Sequence, residues 1–292
     1  MRLASPRVVK EILAKQSIKP SRGLGQNFLI DGNVVKKLAD TANIDPNDTV
    51  LEIGPGIGTL TQELAPRAKK VIAVEKDRKM VEILKETLAG LQNIEIVCTD
   101  VLKLDTQPKD CSRGASALGG GPPRPENYKV VANLPYYITA PVIRKFLEGE
   151  HKPACAGRPE SLTLIVQKEV AQRICAKPPD MNILAVSVQI YAVPEIIAYI
   201  KKTSFWPQPK VDAAILQITP LAHPYPIHFP KFFTIVKAGF KQPRKQLMNN
   251  LSVGFGFSRQ KTEQWLYKNN IHSTRRAETL SLQDWINLAN TL

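Results

Sequence analysis

The chain has 292 residues, 43% of them hydrophobic and 23% charged, and a formal net charge of +14. Those proportions suit a folded globular protein of two domains, one large and one small or both of middling size, and exclude wholesale disorder or a collagen-like repeat. No apolar stretch approaches the ~18 residues of a membrane-spanning helix, Met1 to Pro20 lacks the apolar core of a signal peptide, and Cys98, Cys111, Cys155 and Cys175 are too far apart for CxxC pairs.

In chain order, Thr49–Ile53 is a short apolar run ending at Gly54-Pro55-Gly56, a strand entering a turn. Helical spacing follows over Thr59–Leu64. Val71–Glu75 is a second strand, succeeded by a helix over Asp77–Leu88 with apolar Met80, Val81, Ile83, Leu84 and Leu88. Ile94–Cys98, Lys129–Ala132 and Leu162–Val166 are three further strands. Strands separated by helical patterns predict an α/β fold with a parallel, doubly wound sheet. Ile196–Ile200 and Val211–Ile218 predict an antiparallel hairpin at the sheet edge, with Phe205-Trp206-Pro207-Gln208-Pro209 between them.

Thr106–Asn127 is rich in Gly, Pro, Ser and charge and reads as a mobile loop inserted between the third and fourth strands. After Pro220 the strand pattern stops. Lys231–Phe240, Pro243–Leu251, Gln260–Asn269 and Leu282–Thr291 read as helices, with Ser258 and Ser281 as caps for the last two. The expected division is a larger domain over 1–221 and a small all-helical domain over 222–292.

The positive charge is unevenly placed. Residues 1–30 carry six basic side chains and one acid, and residues 223–292 carry ten basics against Glu263, Glu278 and Asp284. The 192 residues between are left with a net charge of only +2. A near-neutral middle with basic ends suits a core gripped to a polyanion by its flanks, and points to a nucleic-acid partner.

In an open α/β sheet, ligands bind beyond the carboxyl ends of the strands. The first strand ends in Gly54-Pro55-Gly56-Ile57-Gly58, where glycines allow a tight turn and close approach of a ligand. The spacing is G-x-G-x-G, not the G-x-G-x-x-G of a pyrophosphate site. The second strand ends in Glu75, a carboxylate able to accept from both hydroxyls of a ribose, and the third is followed by Asp100, able to accept from an adenine amine. Each acid singly also reads as a solvated turn residue; at successive strand ends they favour an adenosine-bearing cofactor.

The fourth strand ends in Asn133-Leu134-Pro135-Tyr136-Tyr137. The N6 amine of adenine is a poor nucleophile because its lone pair is delocalised into the ring. Two acceptors aimed at its hydrogens, the Asn133 side-chain oxygen and the Leu134 carbonyl, would draw the nitrogen toward sp3 geometry and free that pair. Tyr136 offers a ring on which an extruded base can stack. No strong base is needed, so catalysis would be positioning and electrostatics.

Gln26-Asn27-Phe28-Leu29-Ile30-Asp31, Glu52-Ile53-Gly54-Pro55-Gly56, Asn133-Leu134-Pro135-Tyr136-Tyr137-Ile138 and Phe205-Trp206-Pro207-Gln208-Pro209-Lys210-Val211-Asp212 occur in that order. With them the chain closely resembles the small-subunit ribosomal RNA adenine dimethyltransferases, the bacterial KsgA/RsmA family, from about Gly23 to the C-terminus. The resemblance implies a Rossmann-like methyltransferase sheet with a small C-terminal all-helical domain. It implies S-adenosylmethionine as cofactor and dimethylation of two adjacent adenosines in a hairpin loop near the 3′ end of 16S rRNA, on a pre-assembled small-subunit particle, late in maturation. A cytoplasmic monomer that touches no membrane and holds no metal is expected.

Carried over by motif, Asn27 and Leu29 line the cofactor's methionine side, Gly54 and Gly56 form the turn, Glu75 holds the ribose and Asp100 the cofactor adenine. Asn133 then sits where cofactor and target amine meet, beside Leu134, with Tyr136 and Phe205 bracketing the target base. Phe205 also reads as a core aromatic, and Lys210 either meets a phosphate or faces solvent. Lys241–Leu247, including Arg244 and Lys245, reads as a basic helix start with phosphate contacts or as a solvated face. The chain departs from the family at Ala213-Ala214, where a Ser is usual after the Asp, and at Cys175–Leu184, where a Tyr-Gly-containing run is usual; either departure could alter a base-facing loop. His151, His223, His228 and His272 lack metal-ligand spacing. Three rivals remain at this stage: a 23S rRNA methyltransferase of the resistance type, a DNA adenine methyltransferase, and a non-catalytic binder that keeps the fold.

Overall fold

The computed structural model describes residues 3–21, 25–104, 128–148, 158–223 and 225–292. The loop expected at Thr106–Asn127 lies outside the described residues. The chain forms two compact units: Met1–Ala171 with Glu195–Pro220, and Gln172–Pro194 with Leu221–Leu292.

The first unit opens with α1 (Pro6–Lys15), a helix outside the elements expected from sequence, which buries Val9 and Leu13. A two-residue strand, β1 (Phe28–Leu29), leads to α2 (Gly32–Thr41), whose N-cap Asp31 accepts from the Asn33 amide. Then follow β2 (Thr49–Ile53), α3 (Thr61–Leu64), β3 (Lys70–Glu75), α4 (Arg78–Thr87), β4 (Ile94–Cys98), β5 (Tyr128–Asn133), α5 (Thr139–Leu147), β6 (Ser161–Gln167) and α6 (Lys168–Ile174). After α7 (Ile183–Gln189) come β7 (Ala192–Ile200), β8 (Phe205–Trp206) and β9 (Ala213–Pro220).

The seven-stranded sheet runs in the order β4-β3-β2-β5-β6-β9-β7. β4, β3, β2, β5 and β6 are parallel, and β9 is antiparallel to β6. β2, β3, β5 and β6 are nearly continuous apolar runs because helices cover both faces of a parallel sheet. The strand order reverses between β2 and β5, and their carboxyl ends open a crevice there. The two strands expected as an edge hairpin are sheet neighbours, yet they are not joined by a simple turn. β8, between them in sequence, pairs with β1 instead, with Phe28 opposite Trp206 and Leu29 opposite Phe205.

The second unit holds α7 and four helices of the C-terminal segment: α8 (Phe229–Gly239), α9 (Leu247–Phe255), α10 (Arg259–Lys268) and α11 (Leu282–Thr291). Ser258 caps α10 by accepting from the Lys261 amide, and Ser281 caps α11 in a reciprocal box with Asp284. This unit also takes in residues 172–194, which fall within the expected first domain over 1–221. The reason is packing: α7 buries Ala185, Val186 and Val188, and Tyr191 stacks on Phe229 of α8 at 5.0 Å and 5°. The second expected helix starts later than Pro243. The Gln246 bridge to Arg276 and the Leu247 amide bonded to the Arg275 carbonyl occupy that backbone, so α9 begins at Leu247. Arg244 and Lys245 therefore sit in an exposed turn ahead of the helix.

Candidate active site

The cleft at the carboxyl ends of β2, β3 and β5 is lined by Asn27, Leu29, Gly54, Gly56, Glu75, Asp100, Asn133, Leu134 and Tyr136. Three of the four motifs, far apart in sequence, line it: those around Asn27, Gly54 and Asn133.

The floor is the turn after β2. Gly54 continues the ladder by donating to the Val74 carbonyl (2.9 Å). Gly56 has φ +60°, and a Cβ there would lie 3.2 Å from the Phe28 ring. Gly58 has φ +88°, and a Cβ would fall 2.9 Å from the Leu88 side chain. Both the left-handed backbone and the lack of space require glycine at these two positions.

Glu75 ends β3, 9% exposed. Its Oε2 accepts from the Gly56 amide (3.3 Å) and its Oε1 from the Asp77 amide (2.8 Å), so the carboxylate ties the glycine turn to the start of α4. Burial raises its pKa, opposed by those backbone amides. Asp100 follows β4. Its Oδ1 accepts from the Leu102 amide (2.9 Å) and its Oδ2 pairs with Lys76 Nζ (2.9 Å). Partial burial would raise its pKa, but the Lys76 hydrogen bond and charge hold it below the usual carboxylate range.

Asn133 ends β5. Its Nδ2 donates to the Asn27 carbonyl (2.9 Å), which leaves the side-chain oxygen as an acceptor. Leu134, 2% exposed, follows, and its amide donates to the Ile165 carbonyl (3.3 Å). Pro135 then turns the chain into a single 3-10 turn over Tyr136–Ile138. The Tyr136 hydroxyl is buried and has no hydrogen-bond partner among the described residues. Burial, together with the charges of Asp212 and Glu169, pushes its pKa up to about 12, so it is a protonated donor at neutral pH.

Phe205 is not in the cleft. It is 2% exposed and packs in a core cluster with Leu29, Val35 and Leu38. Pairing opposite Leu29 in the β1–β8 ribbon turns it inward, so its expected role as one face of a base sandwich is corrected to that of a core aromatic. Lys210, Arg244 and Lys245 are exposed and form no ion pair among the described residues. Ala213 and Ala214 are wholly buried in β9 opposite Gln167 and Val166, not in a base-facing loop.

Among the cleft residues to which the sequence assigns no role, four stand out. Phe28 packs on the glycine turn. Gln26 donates from Nε2 to Asp77 Oδ2 (3.1 Å) across 51 residues. Tyr137, 55% exposed, stands at the mouth. Glu52, 1% exposed, is pushed up to about 8 by burial, with a further contribution from the charge of Glu75. All four lie inside the sequence motifs without an assigned role, and Glu52 carries a further signal as a charged residue inside an apolar strand.

The family model for "Ribosomal RNA adenine dimethylase" matches residues 17–292. A "Ribosomal RNA small subunit methyltransferase A" of Alkaliphilus oremlandii is 41% identical over 297 residues, spanning 100% of this chain and 98% of that protein. Its counterpart in Clostridioides difficile is 42% identical over 298 residues, spanning 100% and 97%. Among solved structures, the 23S rRNA methyltransferase ErmE matches with TM-score 0.70 and 27% identity over 91% of this chain and 99% of that one. A dimethyladenosine transferase from Plasmodium falciparum matches with TM-score 0.69 and 25% identity over 89% and 95%. With three of its four motifs lining one cleft and its length matched nearly end to end, the chain belongs to the ribosomal RNA adenine dimethylase family.

Proposed function

We propose that this chain transfers methyl groups from S-adenosylmethionine to N6 of two adjacent adenosines near the 3′ end of 16S rRNA, in the small ribosomal subunit or its precursor, giving N6,N6-dimethyladenosine. It does so as a cytoplasmic monomer. The observation that carries this reading is the end of β5: Asn133, fixed through Nδ2 to the Asn27 carbonyl, keeps its oxygen as an acceptor in the same cleft as Glu75.

The residues present fit the cofactor. Glu75 and Asp100 put negative charge along the cleft, which suits a cationic ligand, and Gly54, where a Cβ would meet only Pro135 at 3.9 Å, leaves backbone open for close approach. Bound there, S-adenosylmethionine supplies an electrophilic methyl group on a sulfonium. Glu75 takes the ribose hydroxyls, Asp100 the adenine amine, and Asn27 and Leu29 the methionine end. The Asn133 oxygen and the Leu134 carbonyl accept the two hydrogens of the target amine and localise its lone pair. The Tyr136 ring supports the extruded base. With the cofactor bound, the new N–C bond would form as the methyl's C–S bond breaks and leaves a neutral thioether, and the amine proton, acidic only then, would pass to water. Lys210, Arg244 and Lys245 contact phosphates, and the helical segment over 222–292 helps dock the RNA.

A second reading, methylation of 23S rRNA, has support in the likeness to ErmE. The relatives named for the small subunit are 41–42% identical end to end against 27% for ErmE, and this favours the first. The test is labelled-methyl transfer to small and large subunits lacking the modification, followed by mapping. Label on two adjacent adenosines of 16S rRNA is expected; label on 23S rRNA alone would overturn the reading. RNA affinity should fall steeply with salt while cofactor affinity does not.

A further inference from the structure

Residues 25–29 cross the cleft as a strap, and its two halves are held differently. Downstream, Phe28 and Leu29 are buried and paired with β8, and the Ile30 amide donates to the Ser204 carbonyl (3.0 Å). Upstream, Gly25, Gln26 and Asn27 are only half-buried and are held mainly by polar contacts. Asn27 receives the Asn133 bond at the β5 side. Gln26 reaches the β3 side, and both ends of its amide are engaged: Oε1 accepts from the Ser21 amide (2.8 Å) and Nε2 donates to Asp77 Oδ2 (3.1 Å).

Asp77 is well placed to anchor such a strap. Its Oδ1 caps α4 through the Lys79 amide (3.0 Å), and its own amide donates to Glu75 Oε1 (2.8 Å). The Gln26–Asp77 bond thus connects the strap to the carboxylate assigned to the ribose. We propose that Gln26 and Asp77 are positioning residues that form a latch, closing the strap over the cleft, and that its opening sets how fast the cofactor leaves. This rests on the reading of the cleft as the cofactor site.

Dimethylation gives the latch a purpose. Each adenosine takes two methyl groups, each from a fresh cofactor, so spent cofactor must leave repeatedly. A strap held upstream by hydrogen bonds opens locally without disturbing the core, whereas the apolar downstream half stays in place.

The experiment measures dissociation rates of S-adenosylmethionine and S-adenosylhomocysteine from the full-length chain and from Gln26→Glu, Asp77→Asn and the double variant, with melting curves on each. Gln26→Glu sets two carboxylates face to face. Asp77→Asn keeps the α4 cap, because Asn is as good an N-cap as Asp, but turns an amide nitrogen toward that of Gln26. The double variant reverses donor and acceptor and restores the bond. Each single variant should release cofactor about tenfold faster, and the double variant should return to within about threefold of the unaltered chain. Unchanged release in the single variants, or a double variant no slower than they are, would overturn the latch. Failure of the unaltered chain to bind either compound would overturn the cofactor reading and the latch with it.

Discussion

At the ends of β3 and β4 the cleft wall is built from carboxylates. Glu75 is held by the backbone amides of Gly56 and Asp77, and Asp100 is paired with Lys76. At the end of β5 the wall is an amide, a backbone carbonyl and a phenol, with no full charge among Asn133, Leu134 and Tyr136. The contrast follows the work assigned to each end. Gripping hydroxyls and a cationic ligand rewards fixed negative charge. Making a conjugated amine nucleophilic calls for acceptors at set positions, and a strong base would add little.

The variants that separate the two ends differ in size of effect. Asn133→Ala removes the acceptor and the tie to Asn27, and the methyl-transfer rate constant should fall by roughly 100–1000-fold in single-turnover assays. Tyr136→Ala should cost roughly 10–100-fold in kcat/KM for RNA, as expected of a lost base–aromatic stack, while Tyr136→Phe keeps most of that activity. At the other end, Glu75→Gln should weaken S-adenosylmethionine by roughly 10–100-fold in calorimetry, because the amide cannot replace a carboxylate that accepts on both oxygens. Asp100→Asn, at a more solvated position, should weaken it by about tenfold or less.

Glu52, beneath both ends, produces a stability effect. Its folded pKa of about 8 lies above the ordinary 4.5, so the folded chain keeps a proton that the unfolded chain has released. That contribution is complete below about pH 4.5 and drains away as pH rises through about 8. Glu52→Gln should flatten this fall, by roughly 2–5 kcal/mol between pH 5 and 9 in urea titrations. Parallel pH profiles for the two chains would contradict the assigned burial.

The parallel sheet was legible because its strands are short apolar runs at regular intervals, and Ser258 and Ser281 marked two helix starts by residue type alone. Three of the four motifs fall in the cleft, and two of these, after β2 and at the end of β5, are turns at strand ends that carry their chemistry in sequence. What could not be read depended on distant partners. Phe205 looks the same in sequence whether it faces a base or the core, and its pairing with Leu29 decides for the core. The Gln26–Asp77 bond spans 51 residues and follows no periodicity. Residues 172–194 join the helical unit through Tyr191 and Phe229, which are 38 residues apart in sequence.

The division of labour in the cleft is tested most directly by measuring S-adenosylmethionine affinity and single-turnover methyl transfer on the same preparations of Asn133→Ala and Glu75→Gln. Asn133→Ala should bind the cofactor within about tenfold of the unaltered chain yet transfer almost nothing. Glu75→Gln should bind weakly yet transfer at close to the unaltered rate once cofactor saturates. Parallel loss of binding and transfer in both variants would contradict a cleft with two separable ends.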